Sequence, residues 1–337
     1  MAAGNFRTLE ATNRRQTVLL VVAFMMLFGA LGLGLDFVAR DFSIVNGQLV
    51  GFPVLMVAAL VFAGVQSLVS YYSGASLVLL SVHARPLTAD SAKHEMVLDV
   101  INEMAVAARM PVPKPYLMDD PSPNAFATGR DPAHSIICVT QGLVDQMDRE
   151  EMQGVVGHEM SHVADYDIRT MMMIAVMVGG IAMLSDFVYR WMFWGGFGGR
   201  GKSDNGRDNQ AAMLITIAVI VLAAVAPIFS QLLAMAVSRQ REYLADASSV
   251  EFTRNPRALL RALEHIAQIE SPLKRGTAGT AHLFMVNPRE GLHDDSEGFF
   301  ANLFSTHPPL PKRIARLQAL LGTASATTIA GAAGTNT

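Results

Sequence analysis

Apolar positions crowd into a few long runs of this chain, and the stretches between them carry the periodicities of soluble elements. Val18 to Leu35 contains no charge and is almost wholly apolar. The segment Thr17–Ala39 is long enough to cross the roughly 30 Å hydrocarbon layer as a helix. No small-residue cleavage pattern follows it, so it reads as a membrane helix and not as a signal peptide. From Phe42 to Val82 there is no Asp, Glu, Lys or Arg. Phe52–Val69, at the centre of that run, is a second spanning segment, and Pro53 is tolerable in a first helical turn. Asn209–Ser238 is a third charge-free run, kinked at Pro227. Thr170–Trp194 is weaker, because its charge-free part ends at Ser185. Asp186 and Arg190 follow four apart and could neutralise each other at an interface, beside Trp191 and Trp194 as an aromatic belt. The Gly-rich stretch Gly195–Gly206 reads as a loop.

Between the runs the pattern changes. Thr88–Met110 predicts a helix capped by Thr88 or Asp90, with Val97, Ile101, Met104 and Ala108 on one face. Pro111, Pro113 and Pro115 stop it. Tyr116–Met118 and Ser135–Thr140 predict short strands. Asn124–Thr128 follows a Pro-rich turn and predicts an exposed edge strand. Helices are predicted over Arg149–Tyr166, Arg239–Phe252 and Pro256–Ile269. Arg289–Ser305 reads as a loop with a short helical piece, and the chain after Gly322 as a disordered tail. The organisation is then residues 1–82 with two membrane helices, 83–169 as the first part of a soluble domain, 170–238 as a membrane hairpin, 239–320 as the second part and 321–337 as the tail.

Composition supports this partition. Only 16% of the 337 residues are charged, against about 25% in soluble proteins, and the mean hydropathy is +0.32. A purely soluble chain could not cover its surface with so little charge, and disorder is excluded by the same figures. Cys138 has no partner in the chain, which excludes a disulfide scaffold and fits a reducing compartment. The net charge of −3 gives no reason to expect nucleic acid as a partner, whereas the apolar runs call for a lipid bilayer. The 20 methionines lie mostly in or beside the apolar runs and read as filler.

The chemistry is concentrated in His158-Glu159-Met160-Ser161-His162, on the predicted helix Arg149–Tyr166. Residues i and i+4 share a helix face, so both imidazoles can reach one metal ion, while Glu159 can face a water on it. In a chain with nine histidines, about 0.01 chance copies of the pattern are expected. Zinc hydrolysis needs this arrangement, one Zn2+ per chain, with Glu159 moving the proton. A catalytic zinc takes a third protein ligand. Glu242 is the best candidate, with Asp246 one turn on to accept a hydrogen bond from a ligand histidine. Taken alone, a Glu-x-x-x-Asp pair also reads as a solvated helix face. Asp167 is a further carboxylate that could orient a ligand, or a helix-end surface group beside Asp165. The other histidines, His94 among them, lack ligand spacing and read as surface residues.

With its four motifs in order, the chain resembles the HtpX family of membrane zinc endopeptidases, relatives of the CAAX prenyl proteases. The motifs are Pro123-Asn-Ala-Phe-Ala-Thr-Gly129, His158-Glu-Met-Ser-His162 with Asp167, Glu242-x-x-x-Asp246, and Ser305-Thr-His-Pro-Pro-Leu-Pro-Lys-Arg-Ile-Ala-Arg-Leu317. The resemblance covers about Ala23 to Leu317. It implies a gluzincin-type domain with a small sheet inside a mainly α membrane protein of four transmembrane helices. It implies ligands His158, His162 and Glu242, general base Glu159, and quality control of membrane or misfolded proteins. It also implies the bacterial inner membrane, with the site facing the cytoplasm. A non-proteolytic zinc-stabilised scaffold or chaperone and a CAAX-type processing protease are the alternatives.

Shared ligation constrains topology. Asn209–Ser238 lies between His162 and Glu242, so if it crosses the bilayer, Thr170–Trp194 must cross as well. The first two spans likewise pair, with the N-terminus on the side of the zinc domain. Arg7, Arg14 and Arg15, then Arg85, Lys93, Arg169, Arg239 and Arg241, favour a cytoplasmic site; Arg200, Lys202 and Arg207 in the hairpin loop oppose it. For substrate, the edge strand offers main-chain bonds to an extended peptide, with Asn124 and Ala125 as contact residues and Phe126 as core. His307 is a candidate donor to the tetrahedral oxyanion, and Arg313 could hold either a substrate carbonyl or a structural carboxylate.

Overall fold

Helices start in this protein where a short polar side chain can take up amides that have no partner of their own. The computed structural model describes residues 3–39, 42–45, 48–191, 239–269, 283–285, 310–319 and 321. The first helix, α1 (Ala3–Ala39), leads through an antiparallel hairpin, β1 (Phe42–Val45) and β2 (Gln48–Gly51), into α2 (Val54–Ser81). Pro53 gives α2 no side-chain cap. The cap comes from α1 instead: the buried Asp36 carboxylate accepts from Leu55 N at 2.9 Å and Met56 N at 2.8 Å. This explains an acidic residue at the end of an apolar run. It also requires a close approach, and Gly32 permits it, since a Cβ there would lie 2.6 Å from the Met56 Cα.

The second predicted span lies inside α2, which runs on to Ser81. Among the described residues α2 is the one helix that meets the length and apolarity needed to cross a bilayer, and only 17% of its most apolar window is buried. Val61, Val65, Leu68 and Tyr72 of α2, with Val18, Val22 and Met26 of α1, form an exposed apolar face of the kind that lipid covers. Of the four spans read from the sequence, this is the one the described residues bear out. Asn209–Ser238, Gly195–Gly206, Trp194, Arg289–Ser305 and the chain after Gly322 lie outside the described residues.

The small sheet has the order β3 (Arg85–Pro86), β4 (Lys114–Met118), β6 (Ser135–Thr140), β5 (Ala125–Gly129). Only β4 and β6 are parallel. Between β3 and β4 lies α3 (Ala92–Ala108), shorter than Thr88–Met110 predicts. Thr88 and Asp90 bond each other at 2.6 Å, which leaves Ser91 to cap His94 N at 3.2 Å. His94 is not a surface residue: it is buried, with Nε2 3.3 Å from Gln141 Oε1. Six further helices are described: α4 (Gln141–Gln146), α5 (Arg149–Ala164), α6 (Asp167–Trp191), α7 (Arg239–Thr253), α8 (Pro256–Ala267) and α9 at residues 310–319.

Two apolar clusters form the core, and β6 contributes to both, with Ile137 and Val139 in one and Ile136 and Cys138 in the other. One joins α3, α5 and α8 through Val97, Ile101, Val155, Val156, Leu259 and Leu263. The other joins α1, α2 and the first half of α6 through Phe24, Phe28, Ala63, Met172 and Met177. The methionines there are gap-filling core, as the sequence suggests.

Candidate metal centre

Twelve residues of α5 are buried, including His158, Glu159 and His162, so this helix passes through the protein interior. Its start is fixed by a capping box: Asp148 accepts from Glu151 N at 2.8 Å and Glu151 accepts from Asp148 N at 3.0 Å. The helical spacing brings His158 Nε2 and His162 Nε2 to 3.4 Å from each other. From α7, Glu242 reaches the same point, with Oε2 3.5 Å from His158 Nε2 and Oε1 3.6 Å from His162 Nε2. Two nitrogen ligands on a tetrahedral zinc, at about 2.0–2.1 Å from it, lie about 3.3–3.4 Å apart. Two imidazoles and one carboxylate, all buried and mutually facing, therefore have the chemistry and spacing of a three-ligand zinc site.

Each histidine is backed by a carboxylate on its other ring nitrogen. Asp246 Oδ1 lies 3.0 Å from His158 Nδ1, and Asp167 Oδ2 lies 3.3 Å from His162 Nδ1. A neutral imidazole bonded in this way carries its proton on Nδ1 and turns its Nε2 lone pair to the common point, as a metal ligand requires. Of the alternatives for Glu242 and Asp246, the solvated face is thus excluded by their burial, and Asp167 likewise sits behind a histidine and not on the surface. Burial disfavours a charged His162, but the Asp167 hydrogen bond and the charges of Glu242, Asp167 and Glu159 outweigh it and lift its pKa to about 9. His158 is raised as well: burial and Arg313 oppose its charge, and Asp246 and Glu242 overcome them. An electronegative site of this kind favours a bound cation.

The model of peptidase family M48 matches residues 91–321. The chain belongs to peptidase family M48. Its relatives agree. The protease HtpX homolog of Lactobacillus acidophilus is 38% identical over 310 residues, covering 91% of this chain and 97% of its own. The protease HtpX homolog of Caldanaerobacter subterraneus subsp. tengcongensis is 40% identical over 312 residues, covering 93% and 97%. Among solved structures, Ste24p of S. mikatae is similar at 18% identity and a TM-score of 0.44, over 92% of this chain and 66% of that one. This member of family M48 is a metalloprotease.

The remaining predicted residues of the M48 protease fall differently. Arg313, on α9, is fully buried. Its Nε and one terminal nitrogen grip Asp246 in a two-point pair at 3.1 and 2.6 Å, and its other terminal nitrogen donates to the Met285 carbonyl at 3.1 Å. Of the two roles read for it, the hold on a structural carboxylate is the one the described residues show, and its terminal nitrogens also lie 3.4 Å from His158 Nδ1 and 3.8 Å from Glu242 Oε2. Asn124 Oδ1 accepts from Ala125 N at 3.0 Å, and the Asn124 backbone bonds Thr140 in both directions, so the residue locks the start of β5. The edge strand is not exposed as expected. All five residues of β5 are buried, and Met285 N donates to the Ala125 carbonyl at 2.9 Å. Phe126 is core, edge-on to Phe284. His307 lies outside the described residues.

Three residues of this site escaped the sequence reading. Asn13 Nδ2 donates to Asp167 Oδ1 at 2.6 Å, Arg241 donates to the same oxygen at 2.9 Å, and Arg241 also bonds Gln16. Arg241 is therefore a partner of the site's carboxylate and not only a flanking charge of the membrane run. The one signal available was that Asn13, Gln16 and Thr17 share a helix face at i, i+3 and i+4.

Proposed function

We propose that this protein is a membrane-integrated zinc endopeptidase with His158, His162 and Glu242 as ligands and Glu159 as general base. The observation that carries the reading is the ligand triangle of 3.4, 3.5 and 3.6 Å, with a carboxylate behind each imidazole. When bound, zinc lowers the pKa of a water to about 7 and polarises the scissile carbonyl. Glu159, the residue after His158 and buried beside it, takes the proton as the water oxygen adds to the carbonyl carbon. It returns that proton to the amide nitrogen as the C–N bond breaks, so the carboxylate is regenerated. Asp246 and Asp167 hold the two imidazoles still through the cycle, and Arg313 keeps Asp246 charged and in place.

Membrane and misfolded proteins are the substrates this architecture suits, because the site hangs from α1, α2 and α6 close to an apolar surface. That supports quality control at the bacterial inner membrane, with the site on the cytoplasmic side. Glu242 against the two histidines also supports an even number of crossings between α5 and α7. The 25 residues of α6 measure about 37 Å at 1.5 Å per residue, enough for one of them.

The test is a paired comparison in detergent or lipid nanodiscs. Glu159→Gln retains one zinc per chain by atomic absorption and loses cleavage of unfolded casein by at least about 100-fold, the lower range of general-base effects. Glu242→Ala loses the zinc itself. Wild-type cleavage by Glu159→Gln would overturn the mechanism, and wild-type zinc content in Glu242→Ala would remove Glu242 from the ligands. A scaffold with a structural zinc would show no casein cleavage in any form.

A further inference from the structure

The N-terminal turn that precedes the first apolar run is wired into the metal centre. Asn13 is buried, and its single amide nitrogen uses both hydrogens, one on the Asp165 carbonyl at 2.5 Å and one on Asp167 Oδ1 at 2.6 Å. One turn on, Thr17 Oγ1 meets Thr170 Oγ1 at 3.0 Å. Gln16 accepts a hydrogen bond from Arg241, whose other terminal nitrogen holds Asp167 Oδ1 at 2.9 Å. Asp167 Oδ2 then faces His162 Nδ1. The result is an unbroken chain from α1 to a candidate zinc ligand: Asn13 and Gln16–Arg241 on one carboxylate oxygen, His162 on the other.

The two contacts do different work from ordinary helix packing. A carboxylate behind a ligand histidine fixes the ring only if the carboxylate itself cannot rotate. Asp167 stands on the first turn of α6, directly after Tyr166 with its positive φ of 61°, so its own backbone gives it one anchor at a helix start. The second anchor is the pair of donors on Oδ1, and one of these comes from Asn13. The other, Arg241, is steered by Gln16. Asn13 and Gln16 both lie on α1, 154 and 225 residues away in sequence from Asp167 and Arg241 respectively. Arg14 and Arg15, next to Asn13, are the last charged residues before the apolar stretch, and both are exposed.

We propose that Asn13 and Gln16 are positioning residues of the metal centre: through Asp167 and Arg241 they hold His162 in the orientation that binds zinc, so that α1 serves the active site as well as the membrane. The proposal rests on the zinc reading above. Neither residue touches the metal or the substrate.

The experiment measures zinc affinity of the full-length protein in nanodiscs, by competition with a fluorescent zinc chelator, for three variants. Asn13→Leu removes both donors at similar size, and Gln16→Met removes the acceptor for Arg241. Thr17→Val removes a buried bond between the same two helices that does not reach Asp167, and serves as the control for packing alone. Removing a group that orients a ligand histidine weakens metal affinity by about 10–100-fold, so that loss is expected for Asn13→Leu and a smaller loss for Gln16→Met, with Thr17→Val within about twofold of wild type. Wild-type affinity in both Asn13→Leu and Gln16→Met would overturn the proposal, and so would an equal loss in Thr17→Val. If Asn13→Leu fails to fold, as judged by helical circular dichroism of the zinc-free protein, Gln16→Met against Thr17→Val decides. A wild-type protein that binds no zinc would overturn the zinc reading instead, which separates the two failures.

Discussion

Arg313 has no water to turn to if Asp246 is taken away, and Asp246 has none if Arg313 is. The pair is buried, two-pointed and fixed at 2.6 and 3.1 Å. Burial pushes the Asp246 carboxyl up, but Arg313 and the His158 bond more than reverse it, so the carboxylate is held below its ordinary range. Arg313→Met preserves volume and strands that charge beside His158. The expected loss is about 3–5 kcal/mol, the range for breaking one side of a buried pair, read from the urea midpoint at neutral pH. A midpoint equal to wild type would show that water reaches the site. Asp165 is the opposite case. Burial, and then the charge of Asp167, lift its pKa to about 7, and His162 and Arg241 offset this only in part. A folded pKa above the unfolded value of 3.8 means a contribution to stability that is complete below 3.8 and lost as pH rises through 7. Asp165→Asn removes that loss. Its Tm relative to wild type is expected to climb between about pH 4 and pH 8, and a pH-independent difference would show that Asp165 ionises freely. At this scale the sequence is legible where chemistry demands neighbours four apart, as in His158–His162 and Glu242–Asp246. It is illegible where a lone polar residue such as Asn13 bonds across 154 positions.

Elements were predicted well where local chemistry decides them. The helices predicted over Arg149–Tyr166 and Pro256–Ile269 match α5 and α8, which start at local caps, Asp148 with Glu151 and Asn255 before Pro256. They were predicted poorly where a distant partner decides. Thr88 and Asp90 are good caps that happen to bond each other, and the α2 cap is Asp36 from another helix. The β1–β2 hairpin is four residues a side and leaves no alternating pattern to read. One packing requirement is visible only in three dimensions. The ligand helix α5 meets the start of α8 at Gly154, where a Cβ would stand 2.4 Å from the Leu259 backbone nitrogen. Ser249 of α7 seals the same spot by donating to the Gly154 carbonyl at 2.6 Å. Gly154→Val pushes α8 and α7 off α5, and Glu242 travels with α7. Overpacking of this kind costs about 1–3 kcal/mol, so a lower Tm is expected together with weaker zinc retention in dialysis. A Tm loss with zinc retained in full would mean that α8 yields alone.

At the scale of the whole molecule the ligand set and the membrane constrain each other. His162 and Glu242 share a point in space, and the apolar run Asn209–Ser238 separates them in sequence. One crossing would put them on opposite faces of the bilayer, so the run and α6 cross together or not at all. Hydropathy alone undervalues α6, because Asp186 and Arg190 interrupt its apolar run after Ser185, although Met171 to Met177 pack in the core shared with α1 and α2. Length restores it. If both cross, as proposed, the segment between α6 and the run, which includes Ser203, falls on the face opposite the metal centre. The chain supplies its own background for testing this. Cys138, its single cysteine, is fully buried on β6, and burial pushes its thiol pKa up, so it is inert to maleimides in the folded protein. A single added cysteine then reports its own side. Val106 on α3 is 77% exposed and marks the face of the metal centre. In intact spheroplasts a membrane-impermeant maleimide is expected to label Ser203→Cys, and to label Val106→Cys only after permeabilisation. Protection of both positions would mean that neither α6 nor Asn209–Ser238 crosses. Labelling of both in intact cells would put the site outside, where the basic residues of the hairpin loop point and the N-terminal cluster of Arg7, Arg14 and Arg15 does not.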